Sequence, residues 1–157
     1  MSVPDDIVVI QSPGRRGIMS EPGTFSVRPV GVVRSVLTDR GEAPRQGREG
    51  APDAWLEVDP AVAEALDGVT AGDEVLVLTW FHQADRETLR IHPRGETSNP
   101  LTGVFATRSP DRPNPIGLHR VTVLEADPAR GLRVHPLEAI DGTPVIDVKP
   151  VLDAAER

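Results

Sequence analysis

Residues 74–82 read EVLVLTWFH, the strongest apolar run in the chain and the natural starting point for its fold. The run is rich in Val and Leu and follows an Ala-Gly-Asp turn signal, the pattern of a strand leading into a loop at His82. Working outward, similar short runs recur: FSVRPVGVVRSVL, AWLEV, LRIH, LTGVFAT, LHRVTVLEA, LRVHPLEAI and VIDVKPVL. Clusters of Gly, Pro and Asp separate them, such as DPARG at 127–131. Many short strands with regular turn signals argue for an all-β barrel or sandwich. Pro29 and Pro136 interrupt two of the runs and demand edge positions or bulges there. One short helix fits over 60–66, with Asp59 as N-cap, Pro60 in the first helical position and Gly68 closing it. Val62, Leu66 and Val69 would then face the sheet.

Residues 1–24 are polar and rich in Gly and Pro after the short IVVI run, and are expected to form a flexible leader. The folded domain is expected over 25–153, with 154–157 as a tail. The segment 41–53 is too long for a simple hairpin turn, and loops of that length are usually functional.

A chain of 157 residues suits a single domain with one core. With three Phe, two Trp and no Tyr, that core must be mostly Val, Leu, Ile and Ala. Cysteine is absent, which excludes disulfides and thiolate metal sites. The histidines at 82, 92, 119 and 135 lack metal-ligand spacing, so no metal is expected. No run approaches membrane-spanning length, and IVVI is too short for a signal peptide; the expectation is a cytoplasmic protein without a membrane partner.

The net charge of −7 argues against a generic nucleic-acid binder. Residues 80–120, however, carry six basic and four acidic side chains and three of the four histidines, so any RNA contact would be local to that segment. Sixteen of the seventeen basic residues are Arg; the sole lysine, Lys149, lies in the sequence DVKP and suggests a role needing a compact ammonium. No G-x-G-x-x-G follows a strand and no Walker loop occurs, so the turn that binds nucleotides in Rossmann folds is missing.

The segment 101–119, LTGVFATRSPDRPNPIGLH, hands an apolar run to a loop of Arg, Asp, Asn and Pro. Pro110, Pro113 and Pro115 each fix φ near about −65° and push the preceding residue away from helix. A loop so constrained loses little entropy on folding and can hold Arg108, Arg112 and Asn114 in set directions. Such pre-organised donors suit a polar, partly anionic ligand.

The string VFATRSPDRPNPIGL resembles the signature of the TsaA-like family, also called the TrmO family, of S-adenosylmethionine-dependent methyltransferases. Three further segments match in the family's order: PRQG at 44–47, WFHQADRETLRIHPRG at 80–95 and IDGTPVIDVKP at 140–150. The resemblance runs from about Val27 to Pro150. It implies a small β-barrel of about seven or eight short strands with one short helix, pairing into a homodimer. It also implies S-adenosylmethionine as cofactor and methyl transfer to N6 of the threonylcarbamoyl-modified adenosine next to a tRNA anticodon. Carried over as cofactor-binding residues are Pro44, Arg45, Gln46, His82, Gln83, Arg108, Leu118, Pro144, Val145, Ile146 and Asp147.

The chemistry of several of these residues suits that role. Gln46 can both donate and accept, as an adenine edge or a ribose requires. The Arg108 guanidinium can clamp a methionine carboxylate bidentately, with Leu118 as an apolar wall. Asp147 and Lys149 alternate with Ile146 and Val148 and share one strand face, where a buried pair is the catalytic candidate. There Asp147 would accept the acceptor amine's N–H as the methyl arrives. Arg112 and Asn114 serve either a dimer contact or the RNA face.

Three departures from the family pattern bear on the acceptor. Val151 stands where the family carries tyrosine, the further C-terminal domain of longer bacterial members is not expected after Arg157, and the overall charge is acidic. A small-molecule acceptor therefore stays open, as does a non-catalytic module that binds S-adenosylmethionine or a nucleotide. A hydrolase built on His82 and Asp85 lacks a nucleophile placed by motif.

Overall fold

The computed structural model describes residues 8–11 and 24–152. In chain order the strands are β1 (Val8–Gln11), β2 (Thr24–Val27), β3 (Gly31–Arg34), β4 (Ala54–Val58) and β5 (Glu74–Trp80). They are followed by β6 (Arg90–Ile91), β7 (Thr102–Gly103), β8 (Ile116–Asp127), β9 (Gly131–His135) and β10 (Pro144–Pro150). Six of them close into an antiparallel barrel in the order β10-β3-β4-β9-β8-β5. β1 pairs with β2, and β6 with β7, as separate two-stranded sheets. The remainder of the leader expected over 1–24, and the tail at 154–157, lie outside the described residues.

Alternation along the strands builds the core. In β5, Val75, Val77 and Thr79 point inward while Leu76, Leu78 and Trp80 face out; in β8, Gly117, His119, Val121 and Val123 point inward. Val33, Leu56, Val77, Val121, Val123, Leu132, Val134, Leu137 and Val145 fill the barrel, each at most 2% exposed. Burying each of these side chains stabilises by about 1.5–3 kcal/mol, so aliphatic packing suffices without aromatic residues.

The barrel is the one the sequence implies, with two differences in its strands. The run at 25–37 breaks at Pro29 into β2 and β3, and LTGVFAT yields only the two-residue β7 before a 3-10 turn at Val104–Ala106. Pro29 and Pro136 lie in connections rather than inside strands, because a closed barrel has no edge to receive them. Pro144 and Pro150 instead occupy the first and last positions of β10. The short helix over Pro60–Leu66 is 3-10, with the Asp59 carboxylate accepting from the Ala61 amide at 2.9 Å. Leu66 and Val69 pack against the core as expected. Among the described residues no helix is long and apolar enough to cross a membrane.

Candidate functional site

A groove of about 1370 Å³ runs beside β5 and β8, beneath the segment containing Pro44–Gly47, the loops after β5 and β7, and the connection between β9 and β10. Its volume exceeds the roughly 300–1,000 Å³ of a single small-molecule site, leaving room for two reacting partners.

The loop between β7 and β8 is stapled from within. Arg112 donates from Nη2 to the Val104 carbonyl at 2.7 Å, and from Nη1 to the carbonyls of Thr107 and Ser109, both at 3.2 Å. Asp111 accepts from Arg40 Nη2 at 2.7 Å with one oxygen and from the Asp85 amide at 2.8 Å with the other. Arg86 donates to the Pro113 carbonyl at 2.8 Å and to Asn114 Oδ1 at 3.3 Å, while its guanidinium lies over the Trp80 ring. Arg112 and Asn114, which the sequence leaves between a dimer contact and an RNA face, thus hold the loop itself. Arg108 does not follow a strand directly, as the sequence suggests. It follows the 3-10 turn, where the Thr107 hydroxyl donates to the Val104 carbonyl and accepts the Ser109 amide. That turn leaves Phe105 84% exposed at the groove.

Positive charge in the groove is only partly neutralised. Arg40 pairs with Asp111, Arg94 with Glu49 and Arg120 with Glu74. Arg45, Arg48 and Arg108 have no hydrogen-bonded or ion-paired partner among the described residues, and all three line the groove. The hydrogen bond from Arg94 holds the Glu49 carboxyl below its ordinary range, helped by the charges of Arg94, Arg48 and Arg45. Burial pushes the Asp111 carboxyl up, but the Arg40 and Asp85 hydrogen bonds and the Arg40 charge outweigh it and hold the group below its usual value.

Of the residues singled out from the sequence, Pro44, Arg45, Gln46, Gln83, Arg108 and Leu118 line this groove together. His82 is exposed and precedes Gln83 without being part of the lining. Pro144 and Val145 are buried in β10, Val145 in the core at 1% exposure, so Val145 offers no side chain to a ligand. Ile146 is half-buried, and it too lies outside the groove.

Asp147 and Lys149 do share a face and pair at 2.9 Å, but their side chains are 46% and 60% exposed, so the expected burial is not met. A register shift between Val145 and Asp147 sets Asp147 opposite Leu78 and Lys149 opposite Leu76, on the outer wall of the barrel. Leu78 in turn faces Leu118 across β8, so Asp147, Leu78 and Leu118 form one row on that wall.

Sequence reasoning missed a chain of buried polar groups. The His119 side chain, 1% exposed, contacts Thr79 Oγ1 through Nε2 at 2.8 Å and Glu138 Oε1 through Nδ1 at 2.7 Å. The edge of Phe81 meets the same ring at 5.8 Å between centroids. Gly117 makes room for it, since a Cβ there would sit 2.7 Å from His119 Nε2 and 2.6 Å from Phe81 Cζ, and closer still to Thr79 Oγ1. The inward alternation of β8 was the available signal for His119.

Comparison with known proteins fits this geometry. Residues 32–157 match the family model described as the tRNA-methyltransferase O N-terminal domain. The chain belongs to the TrmO family. Among curated relatives, an S-adenosyl-L-methionine-binding protein of Archaeoglobus fulgidus is 43% identical over 134 residues, covering 83% of this chain and 94% of the relative. A "probable S-adenosyl-L-methionine-binding protein" of Methanothermobacter thermautotrophicus is 46% identical over 124 residues, covering 79% and 88%. The crystal structure of TrmO from Pseudomonas aeruginosa superposes with a TM-score of 0.68 at 35% identity, covering 85% of this chain. The chain spans 59% of the length of that TrmO.

The donor set fits such a cofactor. Unpaired guanidiniums suit a carboxylate, Gln46 and Gln83 suit a ring edge, and Phe81, Ile116 and Leu118 supply apolar walls.

Proposed function

We propose that this protein is an S-adenosylmethionine-dependent methyltransferase acting on N6 of the threonylcarbamoyl-modified adenosine next to a tRNA anticodon. The observation that carries the reading is the set of three unpaired guanidiniums, Arg45, Arg48 and Arg108, in a groove lined by the PRQG and RSPDRPNP segments. When bound, S-adenosylmethionine supplies an electrophilic methyl group on sulfur. The protein's share of the work is positioning, where most of the available barrier reduction lies.

Arg108, aimed by the stapled loop, donates to the methionine carboxylate; Gln46 and Gln83 bond the adenine edge; Leu118 and Ile116 cover the ring. Arg45 and Arg48 attract RNA phosphate locally, while the net charge of −7 limits contact elsewhere. The protein works as a homodimer in the cytoplasm, with two copies meeting through the outer wall where Ile116 and Leu118 are 38% and 45% exposed. Asp147 and Lys149 stand on that wall, and the acceptor step is theirs: the carboxylate accepts the amine N–H and the ammonium keeps the carboxylate ionised.

The test is formation of S-adenosylhomocysteine by the purified protein with bulk tRNA, joined to mass spectrometry of tRNA nucleosides from cells lacking the gene. Loss of an N6-methylated threonylcarbamoyladenosine in those cells supports the reading. An unchanged nucleoside profile, with no product formed in vitro, overturns it. The relatives named as S-adenosylmethionine-binding proteins favour a second reading, binding without transfer. It predicts cofactor affinity with no product.

A further inference from the structure

Phe105 differs from the other rings around the barrel. Phe81 meets the His119 ring edge-on, and Trp55 and Trp80 lie beneath the guanidiniums of Arg130 and Arg86. Phe105 has no aromatic or cationic side chain stacked against it among the described residues. At 84% exposure it is the most open of their large apolar side chains, and it lines the groove. Folding gains most from an aromatic ring by covering it, so this ring forgoes a stabilising contact that a bound partner can supply.

The backbone beside the ring is held firmly. Val104 is buried at 2% exposure, and its amide donates to the Leu89 carbonyl at 3.0 Å. The Val104 carbonyl accepts three bonds: from the Thr107 amide at 3.0 Å, the Thr107 hydroxyl at 2.9 Å and Arg112 Nη2 at 2.7 Å. The exposed ring therefore projects from a fixed point, and a partner that stacks on it gains from that pre-organisation.

Charge and shape narrow the partner. The same groove carries the unpaired guanidiniums of Arg45, Arg48 and Arg108, which favour an anionic partner over an apolar protein face. A flat, π-faced group carried on an anionic chain is a nucleobase. The cofactor's own ring has Phe81, Ile116 and Leu118 as walls, and a groove of about 1370 Å³ leaves room for a second ring. We propose that Phe105 is the stacking platform for the acceptor nucleobase. This rests on the tRNA methyltransferase reading above. A phenyl ring offers no hydrogen-bond donor or acceptor, so it holds the base by its face and leaves the edge bearing N6 free to meet the methyl group.

The experiment reads binding and needs no turnover. Protein saturated with S-adenosylhomocysteine is titrated with an anticodon stem-loop RNA bearing the threonylcarbamoyl-modified adenosine, and with the same RNA carrying an abasic site at that position. Wild type should bind the base-bearing RNA about tenfold more tightly, the scale of one base stacked on an aromatic side chain. Phe105→Ala should lose that preference, Phe105→Leu should not restore it, and Phe105→Trp should. Affinity for S-adenosylhomocysteine and melting temperature should match wild type in all three variants. Equal wild-type affinity for the two RNAs overturns the assignment, leaves the tRNA reading intact and needs no variant to fold. An undiminished preference in Phe105→Ala also overturns it. So does a loss of cofactor affinity in that variant, which would give the ring to the cofactor, or a changed oligomeric state in sedimentation, which would give it to a second copy. Failure of the wild type to bind either RNA overturns the tRNA reading itself, and this assignment with it.

Discussion

Arg112 turns away from solvent and donates to the carbonyl of Val104, eight residues back in its own loop, at 2.7 Å. Two further bonds to the carbonyls of Thr107 and Ser109 make one guanidinium the organiser of the whole bend. Arg112→Ala should lower stability by about 1.5–3 kcal/mol, the worth of hydrogen bonds from a charged donor. Arg112→Lys should recover only part of this, because an ammonium lacks the planar fork. Denaturant melts measure the loss, and amide exchange at 104–114 should accelerate in both variants. Unchanged exchange there would show that the prolines alone hold the bend.

Asp111 gives the loop an acid limit. Its folded-state affinity for protons is depressed below the ordinary value of 3.8, so it contributes stability above that pH. The contribution is lost as pH falls from there through the lower folded-state value. Asp111→Asn should therefore destabilise at neutral pH and bring the variant and wild type together in strong acid. Thermal melts across pH 2–7 follow the gap; a gap independent of pH contradicts the ionic account.

Arg108 lines the groove without a hydrogen-bonded or ion-paired partner among the described residues, so its removal should spare the fold. Arg108→Ala should weaken S-adenosylmethionine binding by about 1.5–3 kcal/mol with an unchanged melting temperature. A ligand lacking the methionine carboxylate should lose much less. Equal losses for both ligands would detach Arg108 from that carboxylate.

The exposed Asp147–Lys149 pair separates stability from turnover. Asp147→Asn should change stability by no more than about 1 kcal/mol, as for other solvent-facing pairs. If Asp147 assists the acceptor amine, turnover on modified tRNA should fall about 100-fold while cofactor affinity holds. Near-normal turnover would remove the pair from the reaction.

Gly117 has no room to change. Gly117→Ala places a methyl against Thr79, Phe81 and His119 together, and should cost about 1–3 kcal/mol by overpacking. A variant as stable as wild type would mean that Phe81 swings aside, which its T-shaped contact with His119 opposes.

The barrel was legible because valine and leucine alternation survives in β5 and β8 without help from distant residues. The short helix was legible for the same local reason, through Asp59 and Pro60. Of the groove lining, the sequence pointed out only what a motif carried, as at Pro44–Gln46 and Arg108. Glu138 belongs to no local pattern: its environment is made by His119 on a strand 19 positions earlier and by Gly47 across the groove. The outward turn of Asp147 depends on a bulge that strand alternation does not forecast. The role of Arg112 was hidden because its acceptors are backbone carbonyls, which every sequence possesses.

The strand that closes the barrel is also the last of its six in chain order. β10 joins β3 on one side and β5 on the other, with only Pro144 and Val145 in register against β3. A nascent chain with the first five barrel strands outside the ribosome still has two open edges on either side of the gap that β10 fills. Closure must wait until residues 144–150 emerge, so the barrel cannot complete its fold before β10 has left the ribosome. Chain release before Pro144 would leave a sheet with two sticky margins, the form most exposed to aggregation.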